Sequence, residues 1–364
     1  MKIPADLSRA LTGFRRVFTG VNKQSKTRIN DREKITVILT GFGGKDVLGN
    51  WSGETAPFLK EMKDLLDVRN KVRLCNLAYE GELYGSRVLV AATGMAKVKT
   101  TACLSEILHV YDKKIREVIL VGIAGITPMK GGILDSLGKV RKSEPAMLGD
   151  VCVSFLAVDY DLQHYGADCG RSSLPEPKFW DQKSTFQAKF IKGDKKLADE
   201  LLSACKKVRW PAVPKGVEKI NTLYHSGSRF PKVWEPWECL EVTSDLYWHD
   251  LRSDCRAREL AGGLLRREYG RKISPDSVLV VSSMEAVACG AVVEWWNRDH
   301  KRAIGFSYVR GASNFSHPYV DTDGKPVLGA LESLKMSAKS GGASYAMQTE
   351  ALPVLKMLEL RSYV

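Results

Sequence analysis

The stretch 277–314 constrains the fold more than any other part of the sequence. Its apolar run Val278–Val281 predicts a strand buried on both faces, and residues 286–296 have helical length without proline. A second strand is predicted over 303–309. Glu285 and Arg310 therefore each lie just past the carboxyl end of a buried strand, where open α/β sheets bind ligands. A buried carboxylate needs a partner, so the two form either part of a ligand site or a structural ion pair.

Three other predicted strands, over 35–39, 88–92 and 118–121, run into turns rich in glycine. Glycine lets the backbone approach a ligand closely, and the helix predicted over 97–111 offers an N-terminus that favours anions. These turns predict loops that face a ligand, although tight turns and close packing explain them as well. The residues singled out in the first two turns are Gly41, Gly43, Lys45, Thr93 and Gly94.

The remaining pattern alternates strands and helices without a clear domain boundary. We predict strands over 72–77, 151–158, 217–225 and 240–243, helices over 195–208, 255–269 and 341–361, and a loop over 316–340. Tyr247 and Trp248 follow one of these strands, where an aromatic ring either stacks on a flat base or packs in the core. We expect a basic N-terminal extension, residues 1–33, and one large α/β domain over 34–364.

The formal net charge of +13 allows an anionic partner. Residues 1–34 hold nine basic and three acidic side chains, and no Lys/Arg run typical of nucleic-acid binding occurs elsewhere. A small anionic ligand such as phosphate would also benefit from the positive charge. No apolar stretch is long enough to predict a membrane span. We expect a cytoplasmic protein, although the amphipathic residues 7–21 also fit an organelle transit peptide.

The eight cysteines show no CxxC pair and no zinc-finger spacing, so we expect no metal site. Several lie in apolar runs and are interpreted as small core residues in a reducing compartment.

Five segments occur in the order typical of the nucleoside phosphorylase/nucleosidase superfamily, of the purine nucleoside phosphorylase and uridine phosphorylase type. They are ATGMAKV (92–98), VILVGIAGITP (118–128), GDV (149–151), SMEAVA (283–288) and RGASN (310–314). Within that superfamily the chain most resembles the purine nucleoside permease branch. The segments that carry this second likeness are IAGITP (123–128), VDYDLQ (158–163), TSDLYW (243–248) and ASNFSHPY (312–319).

The resemblance implies an α/β fold: a single large three-layer domain with a central twisted mixed sheet flanked by helices, usually in a homo-oligomer. It also implies cleavage of the N-glycosidic bond of purine nucleosides. We expect phosphorolysis to free base and ribose 1-phosphate, with inorganic phosphate as co-substrate and no cofactor. Hydrolysis by a nucleosidase is the alternative, because the dipeptide Lys97-Val98 is similar to one found in nucleosidases. In that case Asp46 would be a candidate base.

The resemblance also assigns roles to individual residues. Glu285 would hold the ribose hydroxyls with Met284 beneath the sugar, and Arg310 would position Glu285 or meet the anion. Tyr247 would stack on the base, beside Ser313 and Asn314. Thr93 and Gly94 would line the phosphate or nucleophile site, opposite Gly41, Gly43 and Lys45.

Two departures from the family pattern leave the reaction open. Asn314 stands where many members carry Asp; it can hydrogen-bond N7 and a 6-oxo group of a purine but cannot donate a full proton. The Arg often found in the first glycine loop is missing, and Lys45 is its candidate substitute. A nucleoside-binding or uptake protein with weak or no turnover is therefore a rival. A cysteine peptidase is another, because residues 40–56 resemble the opening of pyroglutamyl peptidases.

Overall fold

The structure, a computed structural model, describes most of the chain after residue 33. The described residues are 34–45, 47–128, 130–134, 140–161, 163–164, 178–179, 190–225, 227–245, 248–269, 278–319 and 327–363. The predicted extension 1–33 lies outside them, and the division into extension and domain stays a prediction.

The strands in the described ranges are numbered in chain order. They are β1 Ile35–Thr40, β2 Gly43–Lys45, β3 Trp51–Gly53, β4 Lys63–Asp67, β5 Leu77–Leu83, β6 Ser86–Ala92, β7 Ile115–Ile126, β8 Lys130–Leu134, β9 Val140–Pro145, β10 Val151–Ser154, β11 Leu156–Asp159, β12 Gln163–His164, β13 Lys178–Phe179, β14 Phe190–Lys192, β15 Val233–Trp234, β16 Cys239–Thr243, β17 Leu279–Ser283 and β18 Gly305–Phe315.

The α-helices of the same ranges are numbered likewise. They are α1 Ala56–Glu61, α2 Lys97–Tyr111, α3 Lys195–Cys205, α4 Lys215–His225, α5 Leu251–Tyr269, α6 Ala286–His300, α7 Ala330–Lys339 and α8 Gly342–Arg361.

A mixed sheet of twelve described strands forms the centre of the fold. Its main path runs β14-β11-β16-β17-β7-β1-β6-β5-β4, and β18 pairs in parallel with β7 over most of its length. The 12-residue strand β7 is central to this sheet, because β1 and β18 pair with it in parallel on its two sides and β17 pairs with its last residues. The carboxyl ends of β1, β7 and β18 therefore meet at one edge of the sheet.

Successive side chains of the central strands enter two different cores, as strand geometry requires. Val37 and Leu39 of β1 join a cluster with α2 and α6, whereas Ile38 joins one with α1, α3 and α8. A third cluster packs α5 against β16 and β17. Helices thus cover both faces of the sheet, which confirms the predicted α/β class.

Five sequence predictions about elements are wrong. Strand β7 continues to Ile126, so the glycines predicted to form a turn after 118–121 lie inside it. Strand β18 continues to Phe315, so Arg310 lies inside this strand rather than just past its end. Residues 217–225 belong to helix α4, because its buried residues Val217, Ile220 and Asn221 follow helical rather than strand spacing. The predicted loop 316–340 contains α7. The strand predicted over 72–77 begins only at Leu77, since the Val72 amide closes a turn onto the Val68 carbonyl.

The cysteines correct a further expectation. Cys75 is disulfide-bonded to Cys103, and Cys152 to Cys239, so these four are crosslinks rather than free core thiols. The free cysteines among the described residues are Cys205, Cys255 and Cys289. No helix in the described ranges has the length and apolar character that crossing a membrane requires.

Candidate active site

A cavity of about 160 Å³ opens where four strands of the sheet end. Gly41 and Phe42 follow β1, residues 123–125 lie near the end of β7, residues 282–285 span the end of β17, and Ser313 and Asn314 lie near the end of β18. Glu54, Met95 and Trp248 complete the wall. The site therefore lies where an open α/β sheet is expected to bind its ligand.

The ion pair between Glu285 and Arg310 is present. Arg310 Nη2 donates to Glu285 Oε2 at 2.9 Å, and both side chains are buried. Burial raises the pKa of Glu285, and the negative charge of Glu241 adds to this effect, while Arg310 opposes it. The pair belongs to the wall of the cavity, since Glu285 lines it directly.

A second buried carboxylate, Glu54, faces the same cavity, and sequence reasoning missed it. Its Oε2 accepts hydrogen bonds from the amides of Gly41 at 2.7 Å and Phe42 at 3.1 Å, and its Oε1 accepts one from Ile123 at 2.8 Å. Burial, followed by the negative charge of Glu285, raises the pKa of Glu54 to about 7. The available signal was a glutamate within Gly-Glu-Thr-Ala, between the first glycine loop and a helix that begins with Ala-Pro.

Two glycines leave room for the charged groups of the site. A methyl group on Gly41 would lie 3.3 Å from Glu54 Oε2 and 3.4 Å from Glu285 Oε1, so both oxygens border one small space. A methyl group on Gly122 would overlap Arg310 Nη1 and would lie 2.9 Å from Glu54 Oε1. Only a residue without Cβ leaves room for the acidic and basic groups there.

The structure brings together only part of the predicted site. Gly41, Met284, Glu285, Ser313 and Asn314 line the cavity. The Oγ of Ser313 donates to Asn314 Oδ1 at 2.9 Å, and Asn314 Nδ2 donates to the Phe315 carbonyl at 3.0 Å.

The other predicted residues that the structure describes do not line the cavity. Thr93 is buried, and its hydroxyl donates to the Gly94 carbonyl at 2.8 Å, two residues before Met95. Gly43 and Lys45 belong to the hairpin β2–β3, where Lys45 Nζ lies 4.8 Å from the centre of the Trp51 ring. Tyr247 and Asp46 lie outside the described residues. Next to Tyr247, Trp248 lines the cavity and stacks on Tyr160 with 4.8 Å between ring centres.

The N-terminus of α2, predicted to attract an anion, already has a carboxylate partner. The Lys97 amide donates to Asp245 Oδ1 at 2.9 Å. Lys97 Nζ donates to Asp159 at 3.0 Å and Asp161 at 2.7 Å, so its charge is balanced as well. The backbone amide and the ammonium group of Lys97 are therefore both hydrogen-bonded to carboxylates of the protein itself.

The sequence matches no protein-family model, and no curated protein matches it. The structure, however, is similar to that of a 5′-methylthioadenosine/S-adenosylhomocysteine nucleosidase from Neisseria meningitidis, solved with methylthio-immucillin-A. The TM-score is 0.51 at 16% identity, over 90% of this chain and 99% of that chain. The chain has the nucleoside phosphorylase/nucleosidase fold.

Two other solved structures of this fold type match less well. The Streptococcus pneumoniae 5′-methylthioadenosine/S-adenosylhomocysteine nucleosidase gives a TM-score of 0.47 at 13% identity, over 89% of this chain and 98% of that chain. Futalosine hydrolase of Helicobacter pylori gives 0.47 at 14% identity, over 91% of this chain and 100% of that chain. The match to the Neisseria meningitidis enzyme confirms the fold expected from the resemblance. The likeness to the permease branch stays a prediction.

Proposed function

We propose that the protein is a purine nucleosidase, which cleaves the N-glycosidic bond of a purine nucleoside with water. The observation that carries the proposal is the pair of buried carboxylates, Glu54 and Glu285, that border one cavity. The fold of the solved nucleosidases supports it.

Glu285 is the group that we assign to the sugar. Departure of the base leaves positive charge on the ribose, as in glycoside hydrolysis, and a buried carboxylate stabilises that charge more strongly than water does. Glu285 Oε2 is bound to Arg310, whereas Oε1 lies on the Gly41 side. Oε1 is thus the oxygen that we assign to the ribose hydroxyls.

Glu54 is the group that we assign to the attacking water. A general base works best when its pKa lies near the operating pH, and the pKa of Glu54 is about 7. Three backbone amides fix the orientation of its carboxylate. Glu54 thereby takes the role that the sequence analysis gave to Asp46 in the hydrolytic alternative.

The charges around the cavity favour water over phosphate. Phosphate binding needs concentrated positive charge, yet no Lys or Arg is among the described residues that line the cavity. Arg310 is shared by two glutamates, Lys97 is balanced by two aspartates, and Lys45 stacks on Trp51. Phosphorolysis, predicted from the sequence, would bring an anion beside Glu54 and Glu285.

Asn314 and Trp248 are the residues that we assign to the base. Asn314 lines the cavity at the end of β18 and can hydrogen-bond a purine edge. Trp248 supplies an aromatic wall, a role that the resemblance gave to its neighbour Tyr247. Neither assignment needs a cofactor.

The test is an assay of the purified protein with inosine, guanosine, adenosine and 5′-methylthioadenosine, with and without phosphate. We expect free base and free ribose or its 5′-thio derivative without phosphate, and loss of turnover in Glu285→Gln. Ribose 1-phosphate formed only with phosphate would replace hydrolysis by phosphorolysis. Binding without products would support the uptake-protein rival.

Glu117→Gln is the matched control for this assay. Glu117 has the same exposed fraction as Glu285, 5%, and is also paired with an arginine, Arg361. It lies near the start of β7, whereas the cavity lies near the end of that strand. Equal loss of turnover in both variants would mean that Glu285 acts only through stability.

A further inference from the structure

Glu241, in the middle of β16, is a fully buried carboxylate to which neither the sequence analysis nor the proposed reaction gives a role. Its hydrogen bonds converge from three parts of the site. Arg310 Nε donates to Oε2 at 2.7 Å, Thr243 Oγ1 donates to Oε1 at 2.9 Å, and the Ser283 hydroxyl donates to Oε1. A buried carboxylate with this many donors holds its neighbours in one arrangement.

Glu241 also binds the start of the helix that follows Glu285. The amide of Ala286, the first residue of α6, donates to Glu241 Oε1 at 3.0 Å. Glu285 itself is the N-cap residue of α6, and its own side chain makes no capping hydrogen bond. Glu241 therefore supplies, from a neighbouring strand, the negative charge that a helix N-terminus favours. The side chain of Glu285 is left for the cavity.

The guanidinium of Arg310 is divided between two carboxylates. Nε donates to Glu241 Oε2 at 2.7 Å, whereas Nη2 donates to Glu285 Oε2 at 2.9 Å and to Ser283 Oγ at 2.7 Å, with a longer contact of 3.4 Å to Glu241 Oε1. The hydrogen bonds that described residues make to Glu285 go to Oε2, from Arg310 and from the Met284 amide at 3.3 Å. One arginine thus faces two glutamates, which leaves net negative charge beside the sugar position.

We propose that Glu241 is a positioning residue that holds Arg310 and the N-terminus of α6, so that Arg310 binds Glu285 through one oxygen only. This inference rests on the proposed function, because it assigns the remaining oxygen and its charge to the ribose. Without Glu241, the guanidinium is free to pair with both oxygens of Glu285. Such a pair neutralises the carboxylate that the positively charged sugar needs.

The experiment compares Glu241→Gln with Glu117→Gln, a change of another buried, arginine-paired glutamate outside the site. In Glu241→Gln we expect kcat for the nucleoside to fall on the order of 10²-fold, with little change in KM, since misplacing a reacting group has that effect. In Glu117→Gln we expect stability to change but kcat to stay near the wild-type value.

A second readout does not depend on turnover. Carboxyl ¹³C NMR of glutamate-labelled protein follows the titration of Glu285, whose signal is assigned by its loss in Glu285→Gln. Because Glu241 contributes to raising the pKa of Glu285, we expect this pKa to fall in Glu241→Gln and to stay unchanged in Glu117→Gln. Glu241→Asp keeps the charge but shortens the reach to Arg310, so it should lower kcat while the pKa of Glu285 falls less than in Glu241→Gln.

The outcomes separate the two proposals. An unmoved pKa of Glu285 in Glu241→Gln, or an unchanged kcat in Glu241→Asp, would overturn the positioning role. If wild-type protein cleaves no nucleoside, the proposed function fails, while the titration of Glu285 still decides whether Glu241 controls its charge. Glu241→Asp provides the kinetic reading if Glu241→Gln does not fold.

Discussion

Replacing Glu54 with glutamine removes one ionisable group from the cavity wall and keeps the shape of the side chain. The carboxylate accepts amides on both oxygens, from Gly41 and Phe42 on one side and from Ile123 on the other. Glutamine can accept on one side only, so the variant loses a hydrogen bond, at about 1–3 kcal/mol. This loss is the same at every pH. The pH-dependent part of the effect comes from the missing charge.

The pH-dependent contribution to the stability difference favours the variant, whereas the lost hydrogen bond favours the wild type. Its size can be calculated from the pKa of Glu54. The ordinary value is 4.5, and the folded protein raises it to about 7. Between these values the folded protein keeps a proton that the unfolded chain has lost, so wild-type stability falls as pH rises. At about 1.36 kcal/mol per pKa unit, the full cost above pH 7 is ~3 kcal/mol. Below pH 4.5 the cost is absent.

Urea unfolding of wild type and Glu54→Gln across this pH range measures the effect. We expect the difference in free energy of unfolding to move in favour of the variant by ~3 kcal/mol between pH 4.5 and pH 7.5. For Glu117→Gln we expect the difference in free energy of unfolding to move in favour of the wild type as pH rises. Its folded pKa is lowered, mainly by Arg361 acting against burial, so the wild type gains stability from Glu117 above its unfolded pKa.

Activity provides the second half of the same prediction. As a base, Glu54 must be ionised, so wild-type kcat should rise with pH through about 7. In Glu54→Gln we expect kcat to fall on the order of 10²–10⁴-fold and to lose that dependence. A difference in unfolding free energy that stays flat from pH 4.5 to 7.5 would refute the electrostatic reasoning. Retained kcat would refute the assignment of Glu54 as base.

Two further predictions concern the base and the crosslinks. In Asn314→Asp we expect the ratio of kcat/KM for adenosine to that for inosine to rise on the order of tenfold, because a protonated carboxyl can donate to N7 while accepting from a 6-amino group; an unchanged ratio would separate Asn314 from base recognition. In Cys75→Ser/Cys103→Ser we expect the free energy of unfolding to fall by about 3–4 kcal/mol, since the disulfide closes a loop with a sequence separation of 28. Equal urea midpoints for this variant and the wild type would contradict that disulfide.

Local patterns in the sequence were sufficient for much of the fold and part of the site. The apolar run that became β17, the glycine turn after β1 and the strand before Arg310 indicated the edge of the sheet where the cavity lies. Glu285 was identifiable because it follows a buried strand within a few residues. The order of five short segments was sufficient to predict the fold class.

Prediction failed where neighbours in space, rather than in sequence, decide the outcome. Helix α4 was predicted as a strand because its apolar residues fit both patterns until packing selects one. Glu54 and Glu241 carry no motif of their own. The disulfide partners could not be predicted, since the spacing of cysteines along the chain does not determine which thiols meet.

The sequence by itself determined where most of the central strands form, that glycine turns follow β1 and β6, and that Glu285 lies just past the end of β17. Only the tertiary structure decided which carboxylates share the cavity. It brought Glu54, Glu241, Glu285 and Arg310 together in a buried space, where charges interact strongly and a carboxylate keeps its proton to about pH 7. The charge state of a buried group depends on its neighbours in space, and these come from four distant parts of the chain.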